Sequence, residues 1–71
     1  MWNIETVNNR LNNYTAASIG DDCGFFTSEC PLCDGLAGDR VEMFYLDQGA
    51  VYNEHVCNDC ALYIANGDLP E

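Results

Sequence analysis

The sequence contains no lysine, and its only basic side chains are Arg10 and Arg40, set against twelve Asp and Glu for a formal net charge of −10. Nucleic-acid binding depends on Lys and Arg releasing counterions from phosphates, so DNA or RNA is disfavoured as a partner. Attachment to anionic lipid through a basic patch fails on the same ground. No apolar run approaches the ~20 residues that a membrane-spanning helix needs. The opening Met1-Trp2-Asn3-Ile4-Glu5 shows neither the basic start nor the apolar stretch of a secretory signal. These absences lead to the expectation of an intracellular, cytoplasmic protein. In such a reducing compartment, paired cysteines read as metal ligands or redox groups rather than disulfides. The partner that the charge admits is a protein with a neutral or basic surface, although acidity that serves solubility alone would give the same composition.

At 71 residues the chain has room for one domain, 1–71. A core of this size supplies no more than ~3–5 kcal/mol of net stability, and natural chains so short usually carry a staple. Five cysteines are present, an odd number that a closed disulfide framework does not want. A metal is the remaining staple.

Ile4, Val7, Leu11 and Tyr14 lie on one stripe of a helix expected over residues 3–18, within an N-terminal helical segment 1–20 that Gly20-Asp21-Asp22 ends. Phe25-Phe26-Thr27 has the character of a brief strand. Cys30-Pro31-Leu32-Cys33-Asp34-Gly35 has the composition of a zinc knuckle, a tight turn that aims two sulfurs at one point. Arg40–Leu46 and Ala50–Val56, rich in aromatic and β-branched residues and separated by the turn signal Asp47-Gln48-Gly49, predict a β-hairpin. A short helix follows over Ala61–Asn66, with Asn58 or Asp59 suited to its N-cap and Gly67 to its left-handed terminus. Pro70 keeps the tail from being helical.

Two Cys-x-x-Cys pairs, Cys30/Cys33 and Cys57/Cys60, are separated by 23 residues. Zinc takes four soft ligands in a tetrahedron at ~2.3 Å, and a hairpin between the pairs returns the second to meet the first. A filled four-cysteine shell leaves no position for water or substrate, so the single Zn²⁺ expected here is structural. Four thiolates around it add −2 to the formal charge. Structural zinc binds finger peptides with ~10–16 kcal/mol, more than this core can supply, so the C-terminal half is expected to unfold without metal.

The order knuckle, hairpin, second pair and helix, carried by Cys30-Pro31-Leu32-Cys33 with Gly35 and by Cys57-x-x-Cys60 running into Ala61–Asn66, resembles the treble-clef zinc-finger family over residues 28–67. The resemblance implies a small α+β, metal-stabilised domain with its ligands at those four cysteines; the N-terminal helix that precedes it is expected to pack on the hairpin. Were 61–66 a strand, the same spacing would describe a zinc ribbon. In overall style, with Tyr63-Ile64-Ala65-Asn66-Gly67 near its end, the chain is similar to small acidic zinc-finger proteins of bacteriophages. That likeness would place it in a host cytoplasm but implies no activity.

The function expected is a non-enzymatic protein-binding module, a phage factor acting on a host protein if the likeness of style holds. Two other readings are open. One is a nucleic-acid mimic that occupies a DNA-binding protein, although Asp21, Asp22, Asp34, Asp39, Asp47, Glu54 and Asp59 are scattered rather than arrayed. The other is an iron electron carrier that resembles rubredoxin, from which the chain departs by having Asp34 and Ala61 where both knuckles of that family have Gly. Cys23, between carboxylates that disfavour its thiolate, reads as a free thiol rather than a nucleophile. It could also replace a member of the quartet or bridge two molecules. His55 is two residues from Cys57 and reads as a surface or outer residue of the site rather than a ligand. Trp2, Phe25, Phe26, Phe44, Tyr45, Tyr52 and Tyr63 must mostly fill the core, with one or two left as anchors for a partner.

Overall fold

A computed structural model describes residues 2–70. In chain order the elements are α1 (Ile4–Leu11), β1 (Thr15–Phe26), β2 (Gly38–Asp47), β3 (Ala50–Cys57) and α2 (Asn58–Asn66). The three strands form one antiparallel sheet in the order β1-β2-β3. The fold is a small α+β domain, as expected.

α1 starts where Asn3, in extended conformation, accepts hydrogen bonds through Oδ1 from the Glu5 and Thr6 amides at 2.9 and 3.1 Å, satisfying two of the orphan donors of a helix start. It is shorter than the stripe of apolar residues suggests. The Asn12-Asn13 pair turns the chain, with the Asn13 and Tyr14 amides bonded back to Arg10 and Leu11 at 3.0 and 2.9 Å. These are three-residue backbone bonds of the kind that tighten a helix end, and asparagine is a weak helix former. The segment 1–20 is therefore not helical throughout: from Thr15 it is strand, and Gly20-Asp21-Asp22 lies inside β1 instead of breaking a helix. Thr15 and Ile19 gain sheet partners in Leu46 and Met43, which a four-turn helix would have denied them. The expected brief strand at Phe25-Phe26 is the end of this longer one.

β2 and β3 pair without a break from Arg40↔Cys57 to Asp47↔Ala50. The turn is only Gln48-Gly49, both at positive φ, 51° and 83°, the signature of a type I′ turn whose twist suits a hairpin. α2 ends at Gly67, at φ 75°, whose amide donates to the Tyr63 carbonyl at 2.9 Å. Its N-cap is Cys57 rather than Asn58 or Asp59, because the Cys57 sulfur takes the Cys60 amide.

One face of the sheet is the core. Val41, Met43 and Val56 are buried together with Val7, Leu32 and Ala61, and Tyr45 stacks on Tyr52 at 5.9 Å and meets Tyr14 edge-on at 4.7 Å. α2 packs across all three strands. α1 sends Val7 into the same core cluster as the hairpin residues Val41, Met43 and Val56, and is fastened through side chains to the knuckle loop and to α2. On the opposite face a Cβ at Gly20 would come within 2.5 Å of Phe44 Cε2, so glycine there lets the Phe44 ring lie down on β1. Leu46 and Val51 are exposed beyond it. The two faces should respond differently to truncation. Met43→Ala is expected to cost ~3 kcal/mol and Val51→Ala less than ~0.5 kcal/mol in urea unfolding of the metal-loaded protein.

Candidate metal centre

The turn Cys30–Gly35 is closed on itself: the Cys30 amide donates to the Gly35 carbonyl at 2.8 Å, and the Asp34 amide to the Cys30 carbonyl at 3.0 Å. Asp34 takes φ 61°, one of the few left-handed positions that Asp tolerates. β3 then delivers Cys57 to the same place, and the first turn of α2 adds Cys60. The four Sγ atoms all lie within 4.8 Å of one another, Cys30 to Cys60 at 3.9 Å and Cys33 to Cys57 at 3.4 Å. A tetrahedron with ~2.3 Å metal–sulfur bonds has edges of about 3.8 Å, so the cluster is the right size for one ion and compatible with zinc. All five cysteines are free thiols. Cys30 and Cys60 are fully buried and Cys33 nearly so. A cleft of about 350 Å³ opens beside Cys33 and Cys57.

The sulfurs are surrounded by donors. The Cys57 amide donates to Cys30 Sγ at 3.3 Å, the Cys60 amide to Cys57 Sγ at 3.5 Å, and the Trp2 indole Nε1 to Cys60 Sγ at 3.2 Å. Such bonds favour thiolate over thiol. Without an ion the thiols share protons: hydrogen bonds from Cys57 and then Cys60 draw the Cys30 pKa strongly down. The same bond to Cys30 pushes Cys57 up to about 12 and Cys60 higher still. Four thiolates this close would need a cation among them, and a divalent ion could take the place of the protons.

Both arginines of the chain are spent on this loop. Arg40, 1% exposed, donates from Nη2 to the Ser28 carbonyl and, at 3.3 Å, to the Gly35 carbonyl. Arg10 reaches over from α1 and grips the Asp34 carboxylate with Nη1 and Nη2 at 2.6 and 2.8 Å, its Nη1 also lying 3.4 Å from the Leu32 carbonyl. The hydrogen bond from Arg10 holds the Asp34 carboxyl below the usual carboxylate range, and the same bond raises Arg10. Sequence reasoning missed these roles and that of Trp2. The available signal was scarcity: two cations and one indole in an acidic chain.

Cys23 lies outside the cluster. Its thiol pKa is raised, first by desolvation and then by the Glu42 carboxylate, with Asp22 and Asp21 adding to it. His55 is also apart from the sulfurs, stacked on the Phe26 ring at 4.9 Å. Comparison with protein-family models, with curated proteins and with solved structures returns no match to this chain.

Serine at any one of Cys30, Cys33, Cys57 or Cys60 is expected to abolish tight metal binding, whereas Cys23→Ser leaves it intact, both measured by competition with a chromophoric chelator. Acid has a calculable effect. Up to four protons compete with the ion, each worth about 1.4 kcal/mol per pH unit, so an affinity of ~10–16 kcal/mol at neutral pH is exhausted about two to three units lower. Metal retained after filtration should therefore fall steeply near pH 4–5 (about two to three units below neutral). Arg40→Met, which removes a buried guanidinium and its hydrogen bonds to the Ser28 and Gly35 carbonyls, is expected to cost ~1–3 kcal/mol in urea unfolding of the loaded protein.

Proposed function

We propose that the protein is a non-enzymatic binding module, a treble clef stapled by one structural Zn²⁺ on Cys30, Cys33, Cys57 and Cys60, that docks on a protein with a neutral or basic surface. The observation that carries this reading is the convergence of four sulfurs within 4.8 Å in a chain whose two cations are both engaged by the loop that bears two of them. The treble-clef reading is supported by the order of knuckle, β2–β3 hairpin and α2, with Cys57 at the N-cap and Cys60 in the first helical turn. That helix also speaks for zinc over a rubredoxin-like iron site, whose second pair would sit in another knuckle. Four thiolates fill the ion's coordination and leave no open position for a reacting group.

Binding is supported by what the surface offers. Phe25, Leu36 and Val51 are each about two-thirds exposed (67, 69 and 66%), apolar anchors within an acidic field that steers basic partners. Thiolate ligands of this kind are favoured by a reducing compartment, which supports a cytoplasmic setting. The likeness of style to phage zinc-finger proteins makes a host protein the natural partner.

Protein purified without added metal should be colourless and carry one zinc per chain by elemental analysis, and excess strong chelator should abolish its folded circular dichroism. A red, iron-containing protein, or a fold that survives in chelator, would overturn the zinc-staple reading. Affinity capture with the zinc-loaded protein is expected to retain a basic partner that salt elutes and that Phe25→Glu or Val51→Glu weakens; a capture blank at low salt would count against the binding role.

A further inference from the structure

The N-terminal arm touches the metal centre at both of its ends. At one end Trp2 Nε1 donates to Cys60 Sγ at 3.2 Å, and its ring meets Tyr63 edge-on at 5.6 Å. At the other, Arg10 holds Asp34 bidentately, one residue beyond Cys33, and reaches the Leu32 and Pro31 carbonyls at 3.4 and 3.5 Å. Between them Val7 is fully buried, and Asn8 Oδ1 accepts from the Tyr63 hydroxyl at 2.6 Å. The first contact is to the second cysteine pair and the last is to the loop of the first pair. The arm therefore bridges the two halves of the ligand set.

We infer that this arm is a working part of the metal centre, with the Trp2 indole N–H and the Arg10 guanidinium acting from outside the thiolate shell to retain the ion. The inference rests on the metal site proposed above and deepens it. A four-thiolate shell around a divalent ion carries −2; an N–H aimed at a buried sulfur offsets part of that charge, and the Arg10 guanidinium cancels the Asp34 carboxylate that would otherwise add to it beside Cys33. Arm docking and metal binding are then linked. The factor by which the docked arm tightens the metal is the factor by which the metal tightens the docked arm. Loss of the ion frees residues 2–10, and loss of the arm's contacts loosens the ion.

Trp2→Phe keeps a ring against Tyr63 but has no N–H to give Cys60, and Arg10→Gln removes the charge. Each is expected to weaken zinc about 10-fold in competition with a chromophoric chelator. Cobalt(II) in place of zinc supplies a readout that mere loosening of α1 does not move. Without its hydrogen bond the Cys60 sulfur gives up electron density more readily, so the sulfur-to-cobalt charge-transfer band of Trp2→Phe shifts to longer wavelength, while Val7→Ala leaves the band in place. Variants that hold zinc as tightly as the parent, with an unmoved band, overturn the inference while leaving the metal site standing. A parent protein that binds neither ion overturns the metal site itself. Should the variants fail to fold, the parent's only indole reports directly: Trp2 emission is expected to change in step with zinc up to one equivalent, and an emission blind to zinc overturns the inference.

Discussion

Four thiol groups packed within 4.8 Å of one another cannot ionise independently, and the fold is organised around whatever balances their charge. Protons can do so only by being shared, which is why Cys30 is drawn down while Cys57 and Cys60 are driven up. A divalent cation would do so without sharing and would join the knuckle to the junction where β3 runs into α2. The Cys57 sulfur takes part twice, as a member of the cluster and as the cap of α2. Local helix initiation and the long-range closure of the fold are thus the same event.

The scarcity of positive charge follows from the same place. A knuckle turns several backbone carbonyls outward around an anionic centre, and those carbonyls need donors that carry charge. Arg40 serves one flank from β2 and Arg10 the other from α1, so the two cations sit where they are worth most. The rest of the surface is left acidic by subtraction. Charge distribution and metal chemistry are one arrangement.

Much of this was legible in the sequence, because the strongest signals were local. Cys-x-x-Cys spacing, the hairpin between the pairs, the left-handed Gly67 and the helix after Cys60 are each determined by a few neighbouring residues. The N-terminal half was less legible. Ile4, Val7, Leu11 and Tyr14 carry helical periodicity past the point where Asn12-Asn13 turns the chain, and Tyr14, half-buried, meets Tyr45 from the bend just before β1 rather than from a fourth helical turn. What makes 15–26 a strand is the vacant edge of β2, a tertiary partner that no local pattern announces. Arg40, too, reads in sequence as an exposed strand residue. It is buried because the loop of 28–35 folds back over it, a contact that spacing rules do not encode.

β1 has a consequence for how molecules of this protein meet one another. A twelve-residue strand at the rim of a sheet presents a ladder of backbone groups on which a second chain could begin to stack. Here the ladder is uneven: its register with β2 shifts three times, between Thr15 and Ser18, Ile19 and Asp22, and Asp22 and Gly24, and Ala16 and Gly24 take positive φ. Such kinks, with Asp21 and Asp22 carrying charge along the same rim, are the devices by which natural sheets deter edge-to-edge growth. The irregularity of this strand thus helps to keep a small, aromatic-rich polypeptide from polymerising with itself.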